Sequence, residues 1–326
     1  MTGRPGGQQK RSGPLTIRNL CHHAGRAEGA HVITDRLHIG GRTIVITGAA
    51  GAIGSTVALA VAEAGATAVL IDVDLRRLDE LAARLHDQGY PAIAIAGDCS
   101  DFAALTAVVR EATEQVGPPD GMVALIGGVE PAEFGPFIGF GTATYDSLVD
   151  RNLRTAVVTH EVVAKAMVDA GRGGSLVSIS AATGIASAPF HALYGAAKAG
   201  VMSLARTLAL EFGPLGIRVN TVAPGGVETF TPADPEEMAR IERSVIPLGR
   251  RVTPIEIAAT ALFLLSDLSS AITGQTLVLD GGALAKPGFL DADNVPVFVT
   301  NKALRERMRA SATKPISSVE QPTKGK

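Results

Sequence analysis

RTIVITGAAGAIGS, Arg42 to Ser55, is the stretch on which the reading of the whole chain turns. Its first half is an unbroken apolar and β-branched run, the pattern of a strand buried on both faces. Its second half places Gly48, Gly51 and Gly54 ahead of the helical segment STVALAVAEAG. Glycines there permit a tight turn and let backbone N–H groups at a helix N-terminus approach a pyrophosphate closely. A glycine triplet alone is weak evidence; its setting between a buried strand and a helix gives it weight.

Outward from this stretch the texture repeats. The apolar runs TAVLID, PAIAIAGD, GMVALIGG, SLVSIS, IRVNTVAPG and TLVLDGG alternate with helical segments, among them one long stretch from Tyr145 to Gly171. Strand–helix alternation with non-alternating strands predicts an α/β fold: a single doubly wound Rossmann-type domain over residues 40–284, with about seven parallel strands and helices on both faces. Residues 1–39 are Gly- and Arg-rich without periodicity and are expected to be a disordered extension. Residues 285–326 weaken into a short apolar piece, a basic helical piece and a polar tail, expected to be partly ordered or at a subunit interface.

Composition narrows the partners. The 326 residues are 46% hydrophobic and 19% charged, with a net charge of −2, so no basic bias argues for nucleic acid or an anionic membrane. Cys21 and Cys99 are too few for a disulfide framework and read as reduced thiols of a cytoplasmic protein. No apolar run reaches membrane-span length, and the N-terminus lacks the apolar centre of a signal peptide.

Asp72 closes the second predicted strand. A carboxylate there can accept from the adenosine ribose hydroxyls and would repel a 2′-phosphate, so NAD is favoured over NADP. Asp98 closes the third strand, either to meet the adenine amino group or to cap the helix that follows. Tyr194 and Lys198 stand four residues apart on a predicted helix and therefore share a face. An ammonium beside a phenol is expected to favour the phenolate and lower the tyrosine pKa into a range useful for proton transfer.

With these residues in view the chain resembles the short-chain dehydrogenase/reductase family over about residues 40–284. The resemblance rests on Thr47–Gly54, Asp72, Asn152 in DRNLRTAVV, Tyr194-Gly-Ala-Ala-Lys198, Ile217-Arg-Val-Asn220, Pro224-Gly225 with Thr229, and Asp280–Gly282. It implies an NAD-dependent oxidoreductase interconverting a secondary alcohol and a ketone. Tyr194 would exchange the proton, Lys198 would hold the nicotinamide ribose, and Asn152 would support a water in a proton relay. The cofactor would lie along Gly48, Gly51, Ile53, Gly54, Asp72, Asp98 and Cys99 at one end. Pro224, Gly225, Val227 and Thr229 would receive it at the other. The resemblance also implies a homo-oligomer, a tetramer or dimer, built through long helices and the last strand.

Three departures stand against that pattern. Ala52 replaces the middle glycine of the turn, and Ala124-Leu125-Ile126-Gly127 replaces an Asn-Asn-Ala-Gly element. Ala181 stands where the family's substrate-polarising serine is expected. Losing one preorganised donor at such a site costs about 10²–10³ in rate. Ser180 ranks first as a substitute, provided the chain twists there, with Thr183 and His191 as further candidates. The departures keep a rival open: a nucleotide-binding pseudoenzyme serving as a regulatory or structural subunit. On the substrate side, 129–140 with Phe134, Phe137, Ile138 and Phe140, together with 184–191, are expected to wall a pocket. FTPADPEEMARIERSVIPLGR, with a short helix after Pro235, is expected to be its lid.

Overall fold

The computed structural model describes residues 39–125, 127–288 and 290–295, together with 37, 299, 301–304 and 306–307. The expectation for residues 1–39 therefore falls almost wholly outside the described residues, although Ile39 itself is fully buried in the core. Most of the C-terminal extension lies outside them as well.

All seven apolar runs form strands: β1 (Thr43–Thr47), β2 (Thr67–Asp72), β3 (Ala92–Ala96), β4 (Gly121–Ala124), β5 (Gly174–Ile179), β6 (Ile217–Pro224) and β7 (Thr276–Leu279). They make one sheet in the order β3-β2-β1-β4-β5-β6-β7, every pair parallel. The order reverses between β1 and β4, and the crevice beyond the C-terminal strand ends at such a switch point is where open α/β sheets bind ligands.

The helices are α1 (Ala52–Glu63), α2 (Leu75–Asp87), α3 (Phe102–Val116), α4 (Thr142–Val149), α5 (Thr155–Asp169), α6 (Ala192–Phe212), α7 (Pro235–Val245) and α8 (Pro254–Leu265). Val57, Leu78 and Leu264 from α1, α2 and α8 pack on one face of the sheet. Leu105, Val163 and Ala205 from α3, α5 and α6 pack on the other. Two-sided burial explains why β1 and β4 carry no polar alternation. Among the described residues no helix is long and apolar enough to cross a membrane.

The long helix expected from Tyr145 to Gly171 is interrupted. A π turn at Asp150–Arg154 separates α4 from α5, and Asn152 sits inside it, almost fully buried. Such a turn widens the backbone ladder by one residue and re-aims a side chain, a device that recurs at functional sites. Apolar periodicity cannot show it, because both flanking helices keep their buried faces.

Candidate active site

The cofactor end is built on the turn between β1 and α1. Gly48 lies in the left-handed region at φ 70°, and Gly51 N–H donates to its carbonyl at 3.2 Å. A Cβ on Gly54 would stand 2.1 Å from the Gly48 carbonyl oxygen, so only glycine fits there. Ala52, in place of a glycine, is the exposed first residue of α1 and meets no such constraint. No side chain caps α1 at Gly51, so its first N–H groups are free to face an anion. Ile53 is half-buried and packs on the core below.

Asp72, at the end of β2, accepts from Ala50 N–H at 3.1 Å and from Val73 N–H at 2.8 Å. It thus braces the glycine turn while its side chain stays partly open. Asp98 is exposed and accepts from Ser100 N–H and Oγ at 2.8 and 2.7 Å, which holds its carboxyl below the usual range. The cap of α3 is Asp101, which accepts from Ala104 N–H at 2.8 Å, so the capping alternative for Asp98 passes to its neighbour. Asp101 is recognisable in the sequence as the last acidic residue before the apolar run. Cys99 is buried, and desolvation pushes its thiol up to about 12, leaving a packing group with no thiolate chemistry.

At the other end, Pro224 closes β6, and Gly225 N–H donates to Leu279 at 2.8 Å. Val227 bridges Val252, and Thr229 N–H donates to Val227 at 2.9 Å. The chain then leaves for α7, the helix expected in the lid. Arg251 reaches back to Glu242 of α7 at 2.7 Å and lies 4.7 Å over the Phe230 ring. The ion pair is largely shielded, with each side chain 12% exposed.

Tyr194, Lys198 and Asn152 meet between these ends. Lys198 is buried, donates to the Ile179 carbonyl at 3.3 Å, and has its Nζ 5.7 Å from the Tyr194 ring centre. Asn152 donates to the Gly128 and Leu148 carbonyls at 2.8 and 3.0 Å and accepts from Gly128 N–H at 2.8 Å. A Cβ on Gly127 would lie 2.6 Å from Asn152 Oδ1 and 2.7 Å from Lys198 Nζ, so this glycine is what lets the two groups approach. The expected lowering of the tyrosine pKa is not what this arrangement produces. Burial raises the phenol, and burial also lowers Lys198 to about 8, so both groups are pushed toward neutrality.

The three candidate substitutes for the serine are placed very differently. Ser180 is buried and donates from Oγ to the Lys198 carbonyl at 2.8 Å, so its hydroxyl ties β5 to α6. No twist brings it round: Ser180 N–H still donates to Val222 across the sheet at 2.7 Å, and Ala181 remains extended (φ −158°, ψ 151°). The parity of a strand therefore continues, and Ala181 occupies the opposite face. Thr183 lies in the short turn Ala182–Gly184 with its hydroxyl oxygen buried and no partner among the described residues. His191 precedes α6, with Nδ1 3.0 Å from the Pro189 carbonyl and its ring edge-on to Phe134 at 4.6 Å.

That ring contact joins the two expected pocket walls, as does Gly135 N–H donating to the Phe190 carbonyl at 3.2 Å. Phe190 is held at φ 66°, an unusual conformation for an aromatic residue, with its side chain exposed. Phe137 and Ile138 are exposed too, and Phe137 meets Phe140 edge-on. Glu133 anchors this loop, and sequence reasoning passes it over. Its carboxylate accepts from Glu130 N–H, Ser147 Oγ and both Arg151 terminal nitrogens at 2.7–3.2 Å. Burial alone would raise its pKa; the hydrogen bonds and the guanidinium outweigh this and lower it.

Known proteins share this fold. Residues 48–283 match the family model described as Enoyl-(Acyl carrier protein) reductase. The oxidoreductase UcpA of Salmonella typhimurium is 32% identical over 253 residues, covering 74% of this chain and 94% of that protein. A short-chain type dehydrogenase/reductase from Mycobacterium marinum superposes with a TM-score of 0.71 at 30% identity, covering 78% of this chain and 99% of its own. A 7α-hydroxysteroid dehydrogenase, solved with NADH and 7-oxo glycochenodeoxycholic acid, gives 0.71 at 28% identity over 77% of this chain and 98% of its own.

Proposed function

We propose that this chain, which belongs to the short-chain dehydrogenase/reductase family, uses NAD(H) to interconvert a secondary alcohol and a ketone, with Tyr194 as the proton-exchanging group. The observation that carries this reading is the meeting of Tyr194, Lys198 and Asn152 at Gly127 and Ile179, beyond β4 and at the end of β5. The residues fit a dinucleotide: a glycine cradle that a Cβ would fill, free helix N–H groups, and Asp72 at the end of β2. Asp72 supports NAD over NADP, since a carboxylate there repels a 2′-phosphate.

The nicotinamide, when bound, takes up or delivers the hydride. In oxidation the Tyr194 phenolate removes the hydroxyl proton; in reduction the phenol returns one to the carbonyl oxygen. Lys198 supports the phenolate as an ammonium, and Asn152, tied to Gly128 and Leu148, keeps the lysine pocket in shape. Gly48, Gly51, Ile53 and Gly54 would hold the pyrophosphate end, with Asp98 and the Cys99 backbone beside the adenine. Pro224, Gly225, Val227 and Thr229 would flank the nicotinamide. Ser180 acts by anchoring α6, so the substrate oxygen has Tyr194 as its donor and no serine opposite. The exposed Phe134, Phe137 and Phe190 support a substrate with an apolar body. Assembly as a homo-oligomer is supported by exposed apolar side chains on α6 and β7, Leu210 and Val278.

Ala181 favours a second reading, in which the chain binds the nucleotide but does not turn it over. Tyr194→Phe decides between them. We expect it to keep NADH binding and to lose turnover of secondary alcohols by at least about 10²-fold, the size of a general acid–base contribution. Binding of NADH by the wild-type protein with no Tyr194-dependent turnover would overturn the enzyme reading.

A further inference from the structure

Arg251 touches three segments at once, and each belongs to a different part of the candidate site. Its Nε donates to Glu242 of α7 at 2.7 Å, its Nη1 donates to the Val227 carbonyl at 3.4 Å, and its guanidinium carbon lies 4.7 Å over the Phe230 ring. Phe230 opens the segment expected to be the lid, and Glu242 sits on the helix of that segment. Val227 belongs to the loop expected to flank the nicotinamide.

On the lid side, α7 is built by local signals more than by packing. Asp234 caps it by accepting from Glu237 N–H at 3.0 Å, Pro235 takes its first position, and Glu236 and Glu237 lie in its first turn. None of its eleven residues is buried, and Ile241 and Val245 are 44% and 53% exposed. Its Arg240–Glu237 pair ties the helix only to itself. Full burial begins past its end, at Ile246. The Glu242–Arg251 pair reaches from the helix to the body, and with both side chains 12% exposed it escapes the screening that makes surface pairs weak.

The other side of Arg251 is fastened to the body. A Cβ on Gly226 would stand 3.3 Å from Arg251 Cγ and 3.5 Å from Cδ, so the arginine stem lies along that backbone. Val252, the next residue, donates to the Gly226 carbonyl at 2.9 Å and accepts from Glu228 N–H at 2.8 Å. Arg250, the residue before, grips Glu256 of α8 through both terminal nitrogens at 2.9 and 2.7 Å. The guanidinium is therefore carried by the loop Gly226–Thr229 and not by α7. Only an arginine suits the position: one edge meets a carboxylate, one nitrogen a carbonyl, and the flat face an aromatic ring.

We propose that Arg251 is a positioning residue that latches α7 to the loop Gly226–Thr229 through Glu242, so that ordering the loop and closing the helix strengthen one another. Coupling of this kind is reciprocal: whatever holds the loop also holds α7, and loss of the latch weakens both. The cofactor part of this inference rests on the function proposed above; the latch in the free protein does not.

Trypsin cleavage after Arg240 and Arg243, read by mass, measures how often α7 opens, since cutting of a transiently opened segment follows its open population. In the protein without cofactor, Glu242→Gln and Arg251→Met should each speed this cleavage about 10-fold, the lower end of what a hydrogen bond to a charged group is worth. The double variant should be cut no faster than Arg251→Met alone, because both changes remove one contact. Effects that multiply would mean two unrelated distortions and overturn the pairing. Cleavage of either single variant at the wild-type rate overturns the latch. NADH should slow cleavage of the wild type several-fold and leave that of Arg251→Met nearly unchanged; equal protection of the two overturns the coupling to the loop. Wild-type protein that binds no NADH in a fluorescence titration would instead count against the nicotinamide reading, with cleavage of the free protein still deciding the latch.

Discussion

Exchanging the roles of two adjacent residues, Ser180→Ala in one variant and Ala181→Ser in another, probes how this site works without its expected serine. Ser180 donates to the Lys198 carbonyl at 2.8 Å from a buried position. Its removal deletes one neutral buried hydrogen bond, worth about 0.5–1.5 kcal/mol. For a domain of this size that corresponds to a fall in Tm of about 1–6 °C. The carbonyl belongs to the helical turn that carries Lys198, so a modest loss of kcat, about 3–10-fold, should accompany it; a donor lost from the reacting oxygen would cost about 10²–10³. Ala181 is extended and nearly buried, on the opposite face of the strand from Ser180. A serine there adds one hydroxyl on the side where Ser180 cannot reach, and should raise kcat by up to about 10²-fold. Steady-state NADH absorbance over a panel of secondary alcohols and ketones measures the rates, and thermal unfolding measures the stability. The reasoning is refuted if Ser180→Ala costs 10²-fold or more with an unchanged Tm while Ala181→Ser brings no gain.

Lys198 links catalysis to stability. Its native pKa is about 8 against an ordinary 10.5, so between those values the unfolded chain binds a proton that the native chain does not. Stability from this group therefore rises with pH across that window, and below about pH 8 its burial disfavours folding by about 3 kcal/mol. Lys198→Met should unfold at higher temperature than wild type at pH 7, with the difference narrowing as pH approaches 10.5; thermal scans across pH check this, and a constant difference contradicts it. Asp72→Ala should weaken NAD binding about 10-fold while improving NADP binding, as read by fluorescence titration of the reduced cofactors. Glu133→Gln leaves Arg151 with a weaker partner and loosens the loop carrying Phe134. We expect KM to rise several-fold with kcat little changed, and an equal fall in kcat alone would argue against a role in shaping the pocket.

Much of this molecule could be read along the chain. The seven strands are legible because the central strands, buried on both faces, must be apolar throughout, and the partly exposed edge strands β3 and β7 keep the same apolar texture. Gly48 could be recognised because the turn between strand and helix needs a left-handed φ there, and Gly54 because a Cβ would strike the Gly48 carbonyl. Tyr194 and Lys198 could be paired because four residues along a helix bring side chains to one face. All of these are consequences of local geometry, which sequence spacing encodes directly.

What the sequence left open is decided by partners far away in the chain. Whether the Ser180 hydroxyl turns to a substrate or to α6 depends on a carbonyl eighteen residues on, and the helix packing answers it. The break at Asn152 is invisible to periodicity, because its stabilising bonds run to Gly128 on another loop. The direction of the Tyr194 pKa followed burial, which no spacing reports. Thr47 looks like any β-branched strand residue until the packing of the sheet buries its hydroxyl with no partner among the described residues. Local spacing determines which groups lie on one face; only the long-range packing of strand ends against α5 and α6 determines which of those groups are desolvated, which are bonded, and which remain free to react.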